Sequence, residues 1–280
     1  MSDSKRRLDM LLVEKGLARS REQAKRLIMA GEVLVDEVPV TKPGKRVWPD
    51  VKIRIRREIP YVSRGGLKLE GALRDFNLDV TGSVVLDVGA STGGFTDCLL
   101  QHGAAFVYAL DVGYGQLDWK LRRDKRVKPM ERLNIRYASP EMFDKTIDMA
   151  TVDVSFISLK LVLPVLAKIV RSGGLILALV KPQFEAGREK VQRGGVVKDP
   201  KVHADVLREL VRGSRRWGLR TLKLTFSPLK GPAGNIEFFL LFEVSTEGRD
   251  EIGEEDIDKT VMEAHKTLDN PPKRDEEVRR

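Results

Sequence analysis

The chain has 280 residues, with 50 Lys+Arg against 41 Asp+Glu and a formal net charge of +9. That length holds two domains, one with a sizeable core, and the positive balance points to a polyanionic partner. A single cysteine, Cys98, excludes an internal disulfide framework and any cysteine-based metal site, and His102, His203 and His265 show no ligand spacing, so no metal is expected.

The charge is unevenly placed: residues 1–60 carry a net +6 and residues 246–280 a net −5. The opening Met-Ser-Asp-Ser-Lys-Arg-Arg has no apolar run behind it. The longest apolar stretches, 175–180 and 238–242, are far short of a membrane span. A cytoplasmic protein without a membrane partner is expected.

Residues 7–15 predict a short amphipathic helix with Leu8, Leu11 and Leu12 apolar, ended by Gly16. Ser20 opens a second helix, with Gln23 at capping-box spacing, and Gly31 ends it. Its apolar stripe is Ala24, Leu27 and Ile28. Arg21 and Lys25 share another face, with Arg19 and Arg26 nearby, and a face of that kind is usually only solvated. Val33, Val35, Val38 and Val40 alternate around Asp36-Glu37 as a hairpin, and 42–45 turns into a last strand near 53–55.

Arg7-Leu8-Asp9, the run from Gly16 through Arg19-Ser20-Arg21 to Ala24, and the run from Ile28 to Asp36 together resemble the αL RNA-binding domain of a small-subunit ribosomal protein. That module recurs in pseudouridine synthases, a heat-shock protein and a tyrosyl-tRNA synthetase. The resemblance implies RNA binding through the second helix and its adjoining basic loop, with Arg7, Arg19, Ser20, Arg21, Lys25 and Arg26 as contacts. The domain is expected to span 1–58, with Glu58-Ile59-Pro60 as linker.

Residues 59–245 alternate strands (83–88, 105–111, 127–134, 147–154, 174–180) with helices (near 64–76, 94–102, 158–170, 200–217). This alternation predicts an α/β fold with a parallel, doubly wound sheet. The close pair 220–227 and 236–244 adds a hairpin that puts one antiparallel strand into the sheet. Residues 246–280 are charged and poor in apolar side chains, and read as a mostly disordered tail with a marginal helix around 254–267.

The first strand of this domain runs into Asp87-Val88-Gly89-Ala90-Ser91-Thr92-Gly93-Gly94-Phe95. A strand–glycine loop–helix unit holds a nucleotide-like ligand at the strand's carboxyl end. The dinucleotide fingerprint wants a middle glycine where Ser91 stands, so the loop suits a ligand without a pyrophosphate, S-adenosylmethionine above all. Asp111, at the end of the next strand, is placed to accept both hydroxyls of an adenosine ribose.

Four ionisable residues interrupt apolar surroundings: Lys68, Asp153, Lys181 and Glu237. Asp153 and Lys181 end strands on the same sheet edge as the glycine loop. Each alone reads as a solvated strand end; the Lys-Asp-Lys-Glu set together does not.

The motifs 62–69, 86–97, 111–117, 153–158 and 180–185, behind the N-terminal module, closely resemble the TlyA, or hemolysin A, proteins, which are similar to FtsJ-type ribose 2′-O-methyltransferases. The resemblance covers residues 5–245. It implies a Rossmann-like class I methyltransferase domain using S-adenosylmethionine. It also implies methylation of a ribose 2′-hydroxyl of cytidine in ribosomal RNA, with ribosomal RNA or ribosomal subunits as partners. Lys68, Asp153, Lys181 and Glu237 would match the catalytic tetrad. For that reaction Lys181 is the candidate base, Asp153 and Glu237 would orient the lysines, and Lys68 would steady the developing alkoxide or a neighbouring phosphate. The rival expectation is a non-catalytic ribosome-binding factor with a degenerate domain; the intact loop and tetrad argue against it.

Overall fold

A computed structural model describes residues 4–55 and 59–269, and the chain divides into two compact units between Pro60 and Tyr61. Glu58 of the expected linker lies outside the described residues, as do 270–280.

The first unit contains β1 (Arg6–Arg7), α1 (Leu8–Glu14), α2 (Arg21–Met29), β2 (Val33–Val35), β3 (Val38–Pro39), β4 (Arg46–Val47) and β5 (Ile53–Ile55). β1 pairs with β4, and β2 is central between β3 and β5, all antiparallel. Ser20 Oγ accepts the Gln23 N–H at 3.2 Å, while the Gln23 side chain accepts from Arg19 N–H at 2.7 Å, one residue outside the usual box. Asp36 and Glu37 both take left-handed φ values, +51° and +63°, as a two-residue hairpin turn demands. Leu8, Leu11, Leu12, Ala24 and Ile28 form the core with Val33, Val35 and Val40. Val38 departs from the valine pattern and is 60% exposed, because its two-residue strand is the outer edge of the sheet.

The second unit is built on a seven-stranded sheet. Its strands are β6 (Val84–Val88), β7 (Phe106–Asp111), β8 (Val127–Glu131), β9 (Ile147–Val152), β10 (Val170–Val180), β11 (Leu219–Phe226) and β12 (Phe238–Val244). The helices are α3 (Gly65–Phe76), α4 (Gly94–Gln101), α5 (Trp119–Arg122), α6 (Leu159–Ile169), α7 (Pro182–Glu185), α8 (Pro200–Ser214) and α9 (Glu254–Asp269). The spatial order is β11-β12-β10-β9-β6-β7-β8, parallel except for β12, which runs against both neighbours. From β6 the chain winds outward through β7 and β8, then returns to lay β9 on the other side of β6. The carboxyl ends of β6 and β9 are therefore the switch point, where such sheets bind ligands.

Some boundaries differ from the sequence expectation. β8 stops at Glu131 because Asn134 caps a short 3-10 turn, its side-chain oxygen accepting from Arg136 N–H at 3.1 Å. β10 starts at Val170, ahead of a register shift before Leu175. The tail differs most. α9 is a 16-residue helix with Ile257, Val261 and Ala264 buried in the same core as Leu207 of α8. Arg208 of α8 pairs with Asp258 at 2.6 Å and with Glu254, and Arg212 pairs with Glu254 at 2.9 Å. The acidity that makes the tail read as disordered is the complement of a basic face on α8. No described helix is long and apolar enough to cross a membrane.

Candidate active site

The glycine loop joins β6 to α4 across the switch point. Gly89 has φ +83°, and a Cβ there would collide with the backbone carbonyl of Asp153, so only glycine lets the end of β9 lie this close. The Asp153 N–H donates to the Val88 carbonyl at 2.9 Å, which couples loop and tetrad directly. At Gly94 a side chain would strike Ser63 and the Gly66 amide, so the starts of α3 and α4 touch and Lys68 is carried to the loop.

Ser91 is exposed at φ +48°, and its N–H donates to Asp111 Oδ2 at 2.8 Å. Asp111 Oδ1 accepts from Gly113 N–H at 2.7 Å. The Thr92 carbonyl accepts from Asp118 N–H at 3.1 Å, which braces the loop from the 111–118 segment. Asp87 does not face the edge. It has no exposed surface and accepts from the hydroxyls of Thr96 at 2.6 Å and Thr151 at 3.1 Å, tying β6 to α4 and β9. Burial pushes its carboxyl up to about 7, against those two hydroxyls. Phe95 is also buried, its ring 6.2 Å from that of Phe239, and Ala90, Gly93 and Gly94 lie beneath the surface. Of the expected cofactor contacts, Ser91, Thr92, Gly89 and Asp111 are the ones that keep exposed surface.

The four charged residues assemble as two ion pairs. Lys68 Nζ donates to Glu237 Oε2 at 2.5 Å, and Lys181 Nζ lies 2.6 Å from Asp153 Oδ1. Lys181 also donates to Ser155 Oγ at 2.9 Å. The Glu237 carboxyl is raised chiefly by burial; Lys68 and then Lys181 pull it down, and Asp153 opposes them. Two cations and two anions thus share one electrostatic neighbourhood beside the loop.

Sequence reasoning did not single out three exposed aromatics on the segments that follow Asp153 and Asp111. Phe156 has φ +62° and is 91% exposed, its ring 5.0 Å from Phe184. A bulky residue in the left-handed region costs backbone strain, which accumulates at functional sites. Tyr114 is 68% exposed, with the Arg132 guanidinium 4.2 Å from its ring, and Trp119 carries Arg123 at 3.4 Å. An aromatic in sequence reads as core, and only the backbone angle and exposure single these out.

In the first unit, the residues expected to touch RNA divide by partner. Arg7 and Arg21 both hold Asp9, which has no exposed surface, at 2.9 and 3.0 Å. They lower the Asp9 carboxyl to about 2, Arg7 most strongly. Lys25 pairs with Glu22 at 2.8 Å, Ser20 caps α2, and Arg19 and Arg26 are exposed. Among the described residues no group of three or more His, Cys, Asp or Glu could hold a metal ion.

Residues 61–244 match the FtsJ-like methyltransferase family and residues 6–52 the S4 domain. Over 272 residues the chain is 53% identical to YqxC of Bacillus subtilis, provisionally named an rRNA methyltransferase, covering 96% of this chain and 97% of that one. It is 46% identical to the 16S/23S rRNA (cytidine-2′-O)-methyltransferase TlyA of Mycobacterium tuberculosis, covering 86% of this chain and 91% of the relative. A solved structure from Streptococcus thermophilus, provisionally named a hemolysin, matches with a TM-score of 0.78 and 45% identity over 96% of this chain and 98% of that one. The matched regions and these identities place the chain in the TlyA, or hemolysin A, family of FtsJ-like methyltransferases, with an S4 domain in front.

Proposed function

We propose that this chain transfers a methyl group from S-adenosylmethionine to a ribose 2′-hydroxyl of ribosomal RNA, with cytidine as the target nucleoside. The observation that carries the reading is the pairing of Lys68 with Glu237 and of Lys181 with Asp153 beside the glycine loop. The name of the Mycobacterium tuberculosis relative supports the cytidine and the ribosomal substrate. The reading puts the protein in the cytoplasm with the ribosome.

The loop fits the cofactor on its own chemistry. The Ser91 N–H is already committed to Asp111, so the residue standing at the fingerprint's middle glycine offers no amide to a pyrophosphate oxygen. Each Asp111 oxygen accepts one N–H and keeps a lone pair, which leaves two acceptors for the two ribose hydroxyls. When bound, S-adenosylmethionine supplies an electrophilic methyl on a sulfonium sulfur.

The chain's own residues then align the hydroxyl and take its proton. Alignment supplies several kcal/mol of barrier lowering. Lys181 is the proposed base, a role worth typically about 10²–10⁴-fold. Its present contacts with Asp153 and Ser155 are those of an ammonium donor, so it must give up a proton before accepting one, and Asp153 is its paired carboxylate. Lys68, fixed by Glu237, offers positive charge to the developing alkoxide. Phe156 and Tyr114 offer faces on which a base can stack, and the S4 domain, through Arg19, Lys25 and Arg26, grips the RNA backbone.

Mapping 2′-O-methyl groups in ribosomal RNA from cells with and without this protein tests the reading. A cytidine that loses its methyl group supports it. An unchanged map returns the chain to a non-catalytic ribosome-binding factor. Calorimetry should show S-adenosylmethionine binding weakened by Asp111→Ala, and tight NAD binding would overturn the cofactor assignment.

A further inference from the structure

The turn that carries Glu237 is held by a closed circuit of hydrogen bonds that runs through the C-terminal helix. Asn235, two residues before Glu237 and 1% exposed, accepts from Val197 N–H at 2.9 Å and donates to the Gly195 carbonyl at 2.8 Å. The Val197 carbonyl lies 3.0 Å from Nε2 of His203 on α8. Nδ1 of His203 is 3.0 Å from Nε2 of His265 on α9, the two rings stacked with centroids 5.0 Å apart. Nδ1 of His265 reaches Asp269 Oδ2 at 2.8 Å, and Asp269 Oδ1 accepts from Lys230 Nζ at 2.6 Å. Lys230 precedes Gly231, whose N–H donates to the Asn235 carbonyl at 2.9 Å and closes the ring. Gly231 packs so closely on Glu237 that a side chain there would strike the carboxylate.

The partners fix which nitrogens carry hydrogens. A carbonyl only accepts, so Nε2 of His203 donates to Val197. Burial holds His203 down at about 4, which keeps the ring neutral and leaves its Nδ1 as acceptor. Nε2 of His265 must then donate to His203, and Nδ1 of His265 lies against the Asp269 carboxylate. The circuit spans α8, α9 and the 228–237 turn.

We propose that His203, His265, Asp269 and Lys230 are positioning residues that fix Glu237 against Lys68, so that helix α9 is part of the methyl-transfer machinery; this rests on the reading of Glu237 as a member of the catalytic set. A carboxylate buried at 2.5 Å from its lysine has little tolerance for displacement of the turn that carries it. The charged half of the circuit, Lys230 and Asp269, is partly exposed, so it is open to substitution without disturbing the core.

The test is turnover of the full-length protein on ribosomal RNA, with cofactor affinity by calorimetry and the melting temperature measured alongside. Lys230→Met and Asp269→Asn are each expected to lower kcat about tenfold, because small misplacements of catalytic groups cost that much or more. KM for RNA and cofactor affinity should stay within about twofold, the pattern of a loss confined to the transition state. Lys230→Arg, which keeps the pair with Asp269, should restore most of the rate. Wild-type kcat in both Lys230→Met and Asp269→Asn overturns the proposal. So does a loss of kcat that comes with an equal loss of cofactor affinity or with a melting temperature lowered in step, since that marks a merely structural role. Glu237→Gln separates the two readings. If it is inactive while Lys230→Met and Asp269→Asn keep the wild-type rate, positioning alone fails; if it keeps the wild-type rate itself, the assignment of Glu237 fails and positioning with it.

Discussion

Lys68 and Glu237 stand 169 positions apart in the chain and meet at 2.5 Å, with 10% and 1% of their side chains exposed. Two desolvated charges attract strongly, but each has given up its hydration, so the pair's net stabilisation is small while the cost of breaking it is large. Lys68→Met should destabilise the second unit by about 3–5 kcal/mol, because Glu237 is left buried without its cation. Lys68→Met with Glu237→Leu should regain most of that loss, yet neither variant should transfer methyl groups. Urea denaturation and a methylation assay on the same preparations measure both arms. A double variant no more stable than Lys68→Met would show that the pair is not the source of the cost.

In the S4 domain, the burial of each partner divides the basic residues: Arg7 and Arg21 hold buried Asp9, whereas Lys25 pairs with exposed Glu22. Arg21→Ala should lower stability, because it strips one of the two guanidinium partners from buried Asp9. Arg19→Ala with Lys25→Ala should leave folding intact and weaken RNA binding. Each lost phosphate contact should flatten the salt slope by about 0.7–0.9. Filter binding at several salt concentrations reads that slope. If it stays at the wild-type value, the two residues belong to an ordinary solvated face.

His203 gives the second unit a pH dependence. An unfolded histidine titrates near 6.5, whereas His203 titrates at about 4; burial is the main cause and the charge of His265 the second, with Val197, Asp199 and Asp269 pulling weakly the opposite way. Between those values the unfolded chain binds a proton that the folded chain refuses. Stability is therefore full above pH 6.5 and falls as the pH drops toward 4, by up to about 3 kcal/mol for this one group. Denaturation midpoints at a series of pH values should show the decline, and His203→Gln should flatten it. An equal decline in that variant would assign the effect to other groups.

Periodicity and glycine placement made the sheet legible in the sequence, and the acidic and glycine residues at strand ends marked its ligand-binding edge. Lys68, Asp153, Lys181 and Glu237 could be named because charge is anomalous in apolar surroundings; their pairing, Lys68 with Glu237 and Lys181 with Asp153, could not, since partner choice depends on how α3 and the β11–β12 turn approach the edge. Asp87 shows the opposite limit. An acid at a strand end looks like a ligand contact, but its position before the last residue of β6 turns it inward onto Thr96 and Thr151. Composition understated α9, which reads in the sequence only as a marginal helix around 254–267, because an average over 35 residues dilutes an apolar stripe whose buried members are Ile257, Val261 and Ala264.

The two contacts of Lys181 make the sharpest test of the chemistry. Its ammonium is shared between Asp153 at 2.6 Å and Ser155 at 2.9 Å, with only 11% of the side chain exposed. If the lysine takes the ribose proton, Lys181→Ala should abolish methyl transfer while S-adenosylmethionine and RNA bind close to normally, because the lost interaction belongs to the transition state. Lys181→Arg preserves the charge beside Asp153 but stays protonated and accepts no proton, so it should fail as well. A purely electrostatic role predicts the reverse, with arginine retaining much of the activity. Single-turnover rates of labelled methyl transfer, measured at saturating cofactor for the three proteins, separate the two. Transfer by Lys181→Arg near the wild-type rate would refute the base assignment and leave Lys68 and alignment of the hydroxyl to carry the reaction.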